Sequence, residues 1–134
     1  MRAAVSAGSL YFAIVFALGF ALGALRMSVL VPRLGELGAV ALEVPVMLAA
    51  SWSASAWLTR SFRVPRTSVA RLAMGGVALG LLAAAEFTLG MLLFGRDAGT
   101  QLAALSTPPG LLGLGSQLAF GLVPFVQLQW MLRR

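Results

Sequence analysis

The sequence contains no cysteine and no histidine, and all ten of its basic residues are arginine. The first two absences exclude disulfides, thiolate nucleophiles, zinc fingers and histidine-ligated haem. The absence of lysine excludes Schiff-base chemistry. The chain has four acidic residues, and their spacing does not match a metal-ligand motif. We therefore expect no catalytic residue, no metal and no cofactor, and an enzyme is the less favoured class of function.

Charged residues of any kind are scarce. They make up 10% of the 134 residues, whereas hydrophobic residues make up 60%. An ordinary soluble domain is about 25% charged. A chain this short has too little interior to bury so much apolar surface in a soluble core. We infer that the lipid bilayer is its solvent. At about 20 residues per crossing, the length allows four helices and no separate soluble domain.

The pattern of apolar runs and helix breakers predicts an all-α fold. We expect a single transmembrane domain over residues 1–134, a four-helix bundle of up-down topology with helices at about 9–31, 36–59, 68–95 and 109–132. Pro32 and Gly35 mark the first chain reversal. Thr107 before Pro108 is typical of a helix start. A signal peptide cleaved near Gly23 is the alternative for the first helix.

The arginines predict the orientation in the membrane. With four crossings, one face would carry seven of them and the other face two: Arg2, Arg60, Arg63, Arg66, Arg71, Arg133 and Arg134 against Arg33 and Arg96. Because cytoplasmic loops carry the excess of positive charge, both termini are expected in the cytoplasm of a cell with a bacterial-type inner membrane. The net charge of +6 does not indicate nucleic-acid binding, since the arginines lie at segment ends.

Four strongly polar residues lie inside the apolar runs, one in each predicted helix: Arg26, Glu43, Glu86 and Gln117. At ~1.5 Å per residue, the last three lie roughly 12 Å below the outer ends of their helices. The Arg26 side chain tilts toward the start of its helix and so toward the same level. We therefore predict that the four side chains converge in one layer of the bundle.

Glycines at four-residue spacing support this layer. Gly19-x-x-x-Gly23 and Gly76-x-x-x-Gly80 lie in the first and third helices. Such spacing marks close helix contacts in membranes, so the polar residues are expected to face protein. The serine row Ser51, Ser53 and Ser55 is expected to bond back to helix carbonyls.

Two interpretations of the polar layer remain open. Because an unpaired carboxylate in hydrocarbon is costly, Arg26 should pair with one glutamate while the other carries a proton or meets water or a cation. The layer is then a substrate- or proton-binding site formed by Arg26, Glu43, Glu86 and Gln117. Alternatively, it is a static buried ion pair that fixes the helix register.

The leading functional hypothesis is binding or transport of a small substrate or ion, with proton coupling as one option. In size the chain resembles the small multidrug-resistance transporters, which work as dimers. Their essential glutamate lies on the first helix, which has none here, so we assign no family. The alternatives are an accessory subunit of a larger membrane complex and an intramembrane enzyme acting on a lipid or isoprenoid. The expected partners are the lipid bilayer and a second copy or a membrane subunit, and no nucleic acid.

Overall fold

The computed structural model describes the backbone of residues 1–134 and every side chain other than that of Phe94. All regular elements in this range are helical. They are α1 (Arg2–Leu25), a π-helical turn (Arg26–Leu30), α2 (Val31–Ser61), α3 (Ser68–Phe94), α4 (Ala98–Ala104) and α5 (Pro108–Leu132). The all-α class is confirmed. The first helix begins seven residues earlier than the sequence predicts, and the segment between the third and fourth predicted helices contains the short helix α4.

Three continuous helical stretches are long and apolar enough to cross a membrane, judged by length and composition: Arg2–Ser61, Ser68–Leu93 and Pro108–Leu132. The first stretch bends at Gly35, where φ is 76° and ψ is 167°, and so forms two helices. The count of four long apolar helices therefore agrees with the sequence prediction. These helices are compatible with a multi-pass membrane protein.

The first chain reversal occurs at Gly35 and not at Pro32. The helix passes through Pro32 after the π-helical turn, in which the Val31 N–H bonds to the Arg26 carbonyl. Proline has no N–H to donate, and a widened turn just before it accommodates the missing hydrogen bond. Gly35 then adopts a positive φ that glycine reaches at little cost. The chain can therefore turn sharply here and start the second long helix.

The four long helices form a ring in the order α1, α2, α5, α3. Helix α1 packs against α2 and α3, and α5 packs against the same two helices. Gly19 lies against Met47, and further along the chain Arg26 bonds to the earlier residue Glu43, so α1 and α2 run antiparallel. Gly8 of α1 lies against Met74 of α3. Helices α2 and α3, consecutive in the chain, therefore lie on a diagonal of the bundle. Polar residues of α1 and α2 are consequently neighbours, and so are those of α3 and α5.

The closest backbone approach joins α3 to α5. A Cβ atom added to Gly75 would collide with the backbone carbonyl of Gly121. Gly76 and Gly80, the predicted small-residue pair, would instead place a Cβ in open space. The glycine that permits this crossing is therefore one residue earlier than the four-residue spacing indicated.

The middle of the bundle is closed by an aromatic contact. The rings of Tyr11 and Phe120 stack with centroids 4.3 Å apart. The Tyr11 hydroxyl also donates a 2.7 Å hydrogen bond to the Phe120 carbonyl. Leu58, Met74 and Ala78 are buried in the same cluster. The bundle is thus well packed around this contact.

The remaining helix starts are capped by side chains. Thr67, Asp97 and Thr107 accept hydrogen bonds from the backbone N–H groups three residues later. The cap on α5 agrees with the predicted Thr107–Pro108 start. Asp97 is fully exposed, and hydrogen bonds from Thr100 hold its pKa below the usual range for an aspartate. Its carboxylate is therefore ionised at neutral pH and suits the positive end of the α4 dipole.

Candidate functional site

Arg26 and Glu43 form an ion pair between the π-helical turn and α2. The Arg26 Nη1 atom donates to Glu43 Oε2 at 2.9 Å. The Glu43 side chain is 13% exposed and that of Arg26 is 31% exposed. Gly23 lies one turn before Arg26, and a Cβ atom added to it would be 3.9 Å from Arg26 Nη2, an ordinary contact distance. The two charges neutralise one another at the edge of a cavity.

Glu86 and Gln117 form the second polar pair, between α3 and α5. The Gln117 Nε2 atom donates to both carboxylate oxygens of Glu86, at 2.8 and 2.7 Å. Glu86 is exposed, whereas Gln117 is partly buried. The direct partner of this carboxylate is therefore a neutral amide. Arg26 adds an electrostatic interaction with Glu86 from the other pair.

Both pairs line one open cleft of about 700 Å³. It extends from the end of the bundle near Glu36 and α4 to the Tyr11–Phe120 contact at mid-bundle. We call this the acidic end, because it carries all four acidic residues of the chain: Glu36, Glu43, Glu86 and Asp97. The structure thus brings the four predicted site residues to one cleft, as two hydrogen-bonded pairs. Their role in binding a substrate or a proton stays a prediction.

Aromatic and polar side chains complete the walls of the cleft. Four phenylalanines line it: Phe16, Phe20, Phe87 and Phe120. Ser51, Ser116 and Gln101 add neutral polar groups. Aromatic faces attract cations, and carboxylates do so more strongly. The lining is therefore suited to a ligand that is largely apolar and carries a positive charge.

Gln101 of α4 was not predicted as a site residue. Its Nε2 atom donates to the carbonyls of Phe87 and Arg96, at 3.2 Å each, and its amide lies against Gly90. It therefore fixes α4 against the end of α3, beside the opening of the cleft. Because α4 is a short element outside the apolar runs, hydropathy gave no signal for this contact.

A third polar contact, also not predicted, joins α2 to α5 below the cleft. The Ser55 hydroxyl donates to Gln127 Oε1 at 2.7 Å, and Gln127 Nε2 donates to the Trp52 carbonyl at 2.8 Å. The expectation that Ser55 bonds to its own helix is therefore wrong. Ser51 does so, through a 2.7 Å bond to the Met47 carbonyl. The sequence feature that could have indicated this contact is Gln127 itself, a polar residue within an apolar run.

The side chains that line the cleft offer charge, hydrogen bonding and proton exchange. Among the residues whose side chains are described, no cluster of three metal-ligating groups occurs. No protein-family model, curated protein or solved structure matches this chain. The fold and the cleft thus define a class only: an all-helical bundle with candidate membrane-spanning helices and a polar cleft at one end.

Proposed function

We propose that the chain is a four-pass protein of a bacterial-type inner membrane, with both termini in the cytoplasm. The distribution of arginines supports this orientation. The acidic end would then face outward, and the end that carries Arg60, Arg63, Arg66 and Arg71, which we call the arginine end, would face the cytoplasm. Large apolar side chains cover the outside of the bundle, as lipid contact requires, including Trp57, Leu92, Leu118 and Leu132.

We further propose that the cleft binds a small lipophilic cation for transport. The observation that carries this proposal is the Glu86 carboxylate, which lies in an aromatic-lined cleft with a neutral amide as its direct partner. Arg26 and Glu43 cancel each other's charge, and the other charged residues that line the cleft are Glu36, Glu86 and Arg96, so the lining keeps one net negative charge. A volume of about 700 Å³ lies within the range of roughly 300–1,000 Å³ typical of small-molecule pockets.

The Gln117 amide is suited to a carboxyl group that changes protonation. An amide both donates and accepts hydrogen bonds, so it offers a partner to ionised and to protonated Glu86. An arginine partner would offer donors only. We therefore propose that a proton and the cation compete for Glu86, which couples their movements.

The cleft ends at the Tyr11–Phe120 contact, and passage to the other side requires this contact to open. Rearrangements of this kind often take place as helix shifts at an interface with another subunit. We propose that the partners of the chain are the lipid bilayer and either a second copy or another membrane subunit. No nucleic acid is involved.

Proton release on cation binding tests the proposal in the intact protein. In weakly buffered detergent solution, addition of tetraphenylphosphonium should release up to one proton per cation bound, because the cation replaces the proton on Glu86. A pH indicator dye measures the release, and calorimetry measures the binding. Tetraphenylborate is the matched control, since it has nearly the same shape and the opposite charge.

The proposal predicts binding and proton release with the phosphonium ion and neither with the borate. Equal binding of both ions would show nonspecific hydrophobic binding without charge selectivity and would contradict the proposal. Absence of binding, together with a protein that is stable only when a partner is co-purified, would favour the accessory-subunit hypothesis instead.

A further inference from the structure

A second cavity, of about 610 Å³, lies at the arginine end, where α2 ends and α3 begins. Four arginines line it together with a buried threonine: Arg60, Arg63, Arg66, Arg71 and Thr59. Arg63 follows the end of α2 and adopts a left-handed φ of 53°. Val64 then bonds back to the Thr59 carbonyl at 3.0 Å, which closes the turn. The fold thus places four arginines around one cavity.

Arg71 is the buried member of this group. It is 3% exposed, and its Nε atom donates to the Pro65 carbonyl at 3.4 Å. Its Nη1 atom is buried and has no hydrogen-bond partner among the residues that the structure describes. Buried side-chain donors are satisfied in the large majority of cases, and an unsatisfied charged donor is especially costly. An acceptor from outside the chain would remove this cost.

No acidic side chain of the protein is placed to supply that acceptor. All four acidic residues lie at the acidic end. Glu86 follows Arg71 by 15 positions, which correspond to about 22 Å of helix along α3, and Arg60 follows Glu43 by 17 positions, about 25 Å along α2. The positive charge of the arginine end is therefore not balanced locally within this chain.

We propose that this cavity binds the phosphate group of an anionic ligand, with Arg71 at its base and Arg60 and Arg66 at its rim. Guanidinium groups bind phosphate oxygens through paired N–H donors, which suits a cavity lined by several arginines. The phosphate belongs either to an anionic lipid headgroup or to a free phosphate ester. The site is separate from the cleft and does not depend on the function proposed for it.

Binding to the full-length protein in nonionic detergent tests the site. The probes are dioleoyl phosphatidylglycerol for the lipid source and glycerol 3-phosphate for the free ester. Phosphatidylcholine and sodium chloride serve as controls for headgroup charge and ionic strength. We expect the anionic probes to raise the thermal unfolding midpoint more than the controls do. A response to both probes assigns general phosphate binding, and a response to the lipid alone assigns a headgroup site.

Matched variants separate a built site from diffuse surface charge. Arg71→Gln should weaken binding of the active probe by about tenfold or more, the loss expected for a charged hydrogen bond. Arg71→Lys should lie between Arg71→Gln and the wild type, since it keeps the charge and loses the planar fork. Arg2→Gln removes the same charge from the same end without lining the cavity, and should change binding less than about twofold.

Equal losses in Arg71→Gln and Arg2→Gln would overturn the proposal, as would a wild-type protein that responds equally to anionic probes and controls. Should Arg71→Gln fail to fold, the exposed residues Arg60 and Arg66 replace it in the comparison. Arg60→Gln and Arg66→Gln should each weaken binding several-fold more than Arg2→Gln does. Losses equal to that of Arg2→Gln would overturn the proposal.

Discussion

Glu86→Gln should abolish proton release on tetraphenylphosphonium binding and leave the fold intact. The substitution keeps the size of the side chain and its hydrogen-bonding capacity toward Gln117, so the α3–α5 contact should persist. It removes the carboxyl group that we propose to exchange protons. Cation affinity should also fall, by at least about tenfold for the loss of one direct charge contact.

Glu43→Gln is the matched control, because it makes the same chemical change in the same cleft. Here the substitution leaves Arg26 without its counter-charge, so the main effect should be on stability. We expect a loss of about 1–3 kcal/mol, less than for a fully buried pair because Arg26 is partly exposed. Part of the proton release should remain. If neither variant assembles, or if both release protons as the wild type does, the polar residues of the cleft only fix the helix register, which is the alternative given in the sequence analysis.

Gly75→Ala should destabilise the bundle far more than Gly76→Ala. The added methyl group at Gly75 would collide with the Gly121 carbonyl, and a backbone atom cannot move aside as a side chain can. Helices α3 and α5 must then separate, at a cost of about 1–3 kcal/mol or more. A methyl group at Gly76 meets no atom within 4 Å, so this variant should be neutral or slightly more stable.

Gly121→Ala extends the comparison to the facing helix. Its methyl group would meet the Leu79 side chain, with Cδ2 at 3.1 Å and Cβ at 3.3 Å, and the cost should lie between those of the other two variants. Unfolding in detergent measures all three. Equal stability of the Gly75→Ala and Gly76→Ala proteins would contradict the close crossing of α3 and α5.

The sequence predicted the number of long helices because each apolar run is ended by residues with a clear physical effect. Gly35 supplies a turn, and Thr107 caps α5. The level of the polar residues followed from helix rise alone. Their pairing did not follow, because it depends on the order of the helices in the ring. Arg26 pairs with Glu43 because the π-helical turn that carries Arg26 packs against α2, whereas Glu86 of α3 bonds to Gln117 of α5.

Other features depend on tertiary contacts that composition does not encode. Gly75 and Gly76 are adjacent glycines, and the crossing of α3 and α5 decides which of them lies against the facing helix. Arg71 belongs to a run of arginines typical of a solvated loop, yet packing buries it. The local sequence pattern does not predict the burial of these residues, because their burial depends on elements that are distant in the chain.

The central claim is that the polar cleft is open to water from the outer side of the membrane. Since the chain has no cysteine, single cysteine variants measure this directly in intact cells with a charged, membrane-impermeant thiol reagent. Ser116 lines the cleft, whereas Leu118, two residues along α5, is 49% exposed and lies outside the lining. The account predicts that Ser116→Cys reacts at least about tenfold faster than Leu118→Cys, because a thiol in lipid does not ionise. Equal rates, or reaction of Ser116→Cys only after the cells are permeabilised, would contradict it.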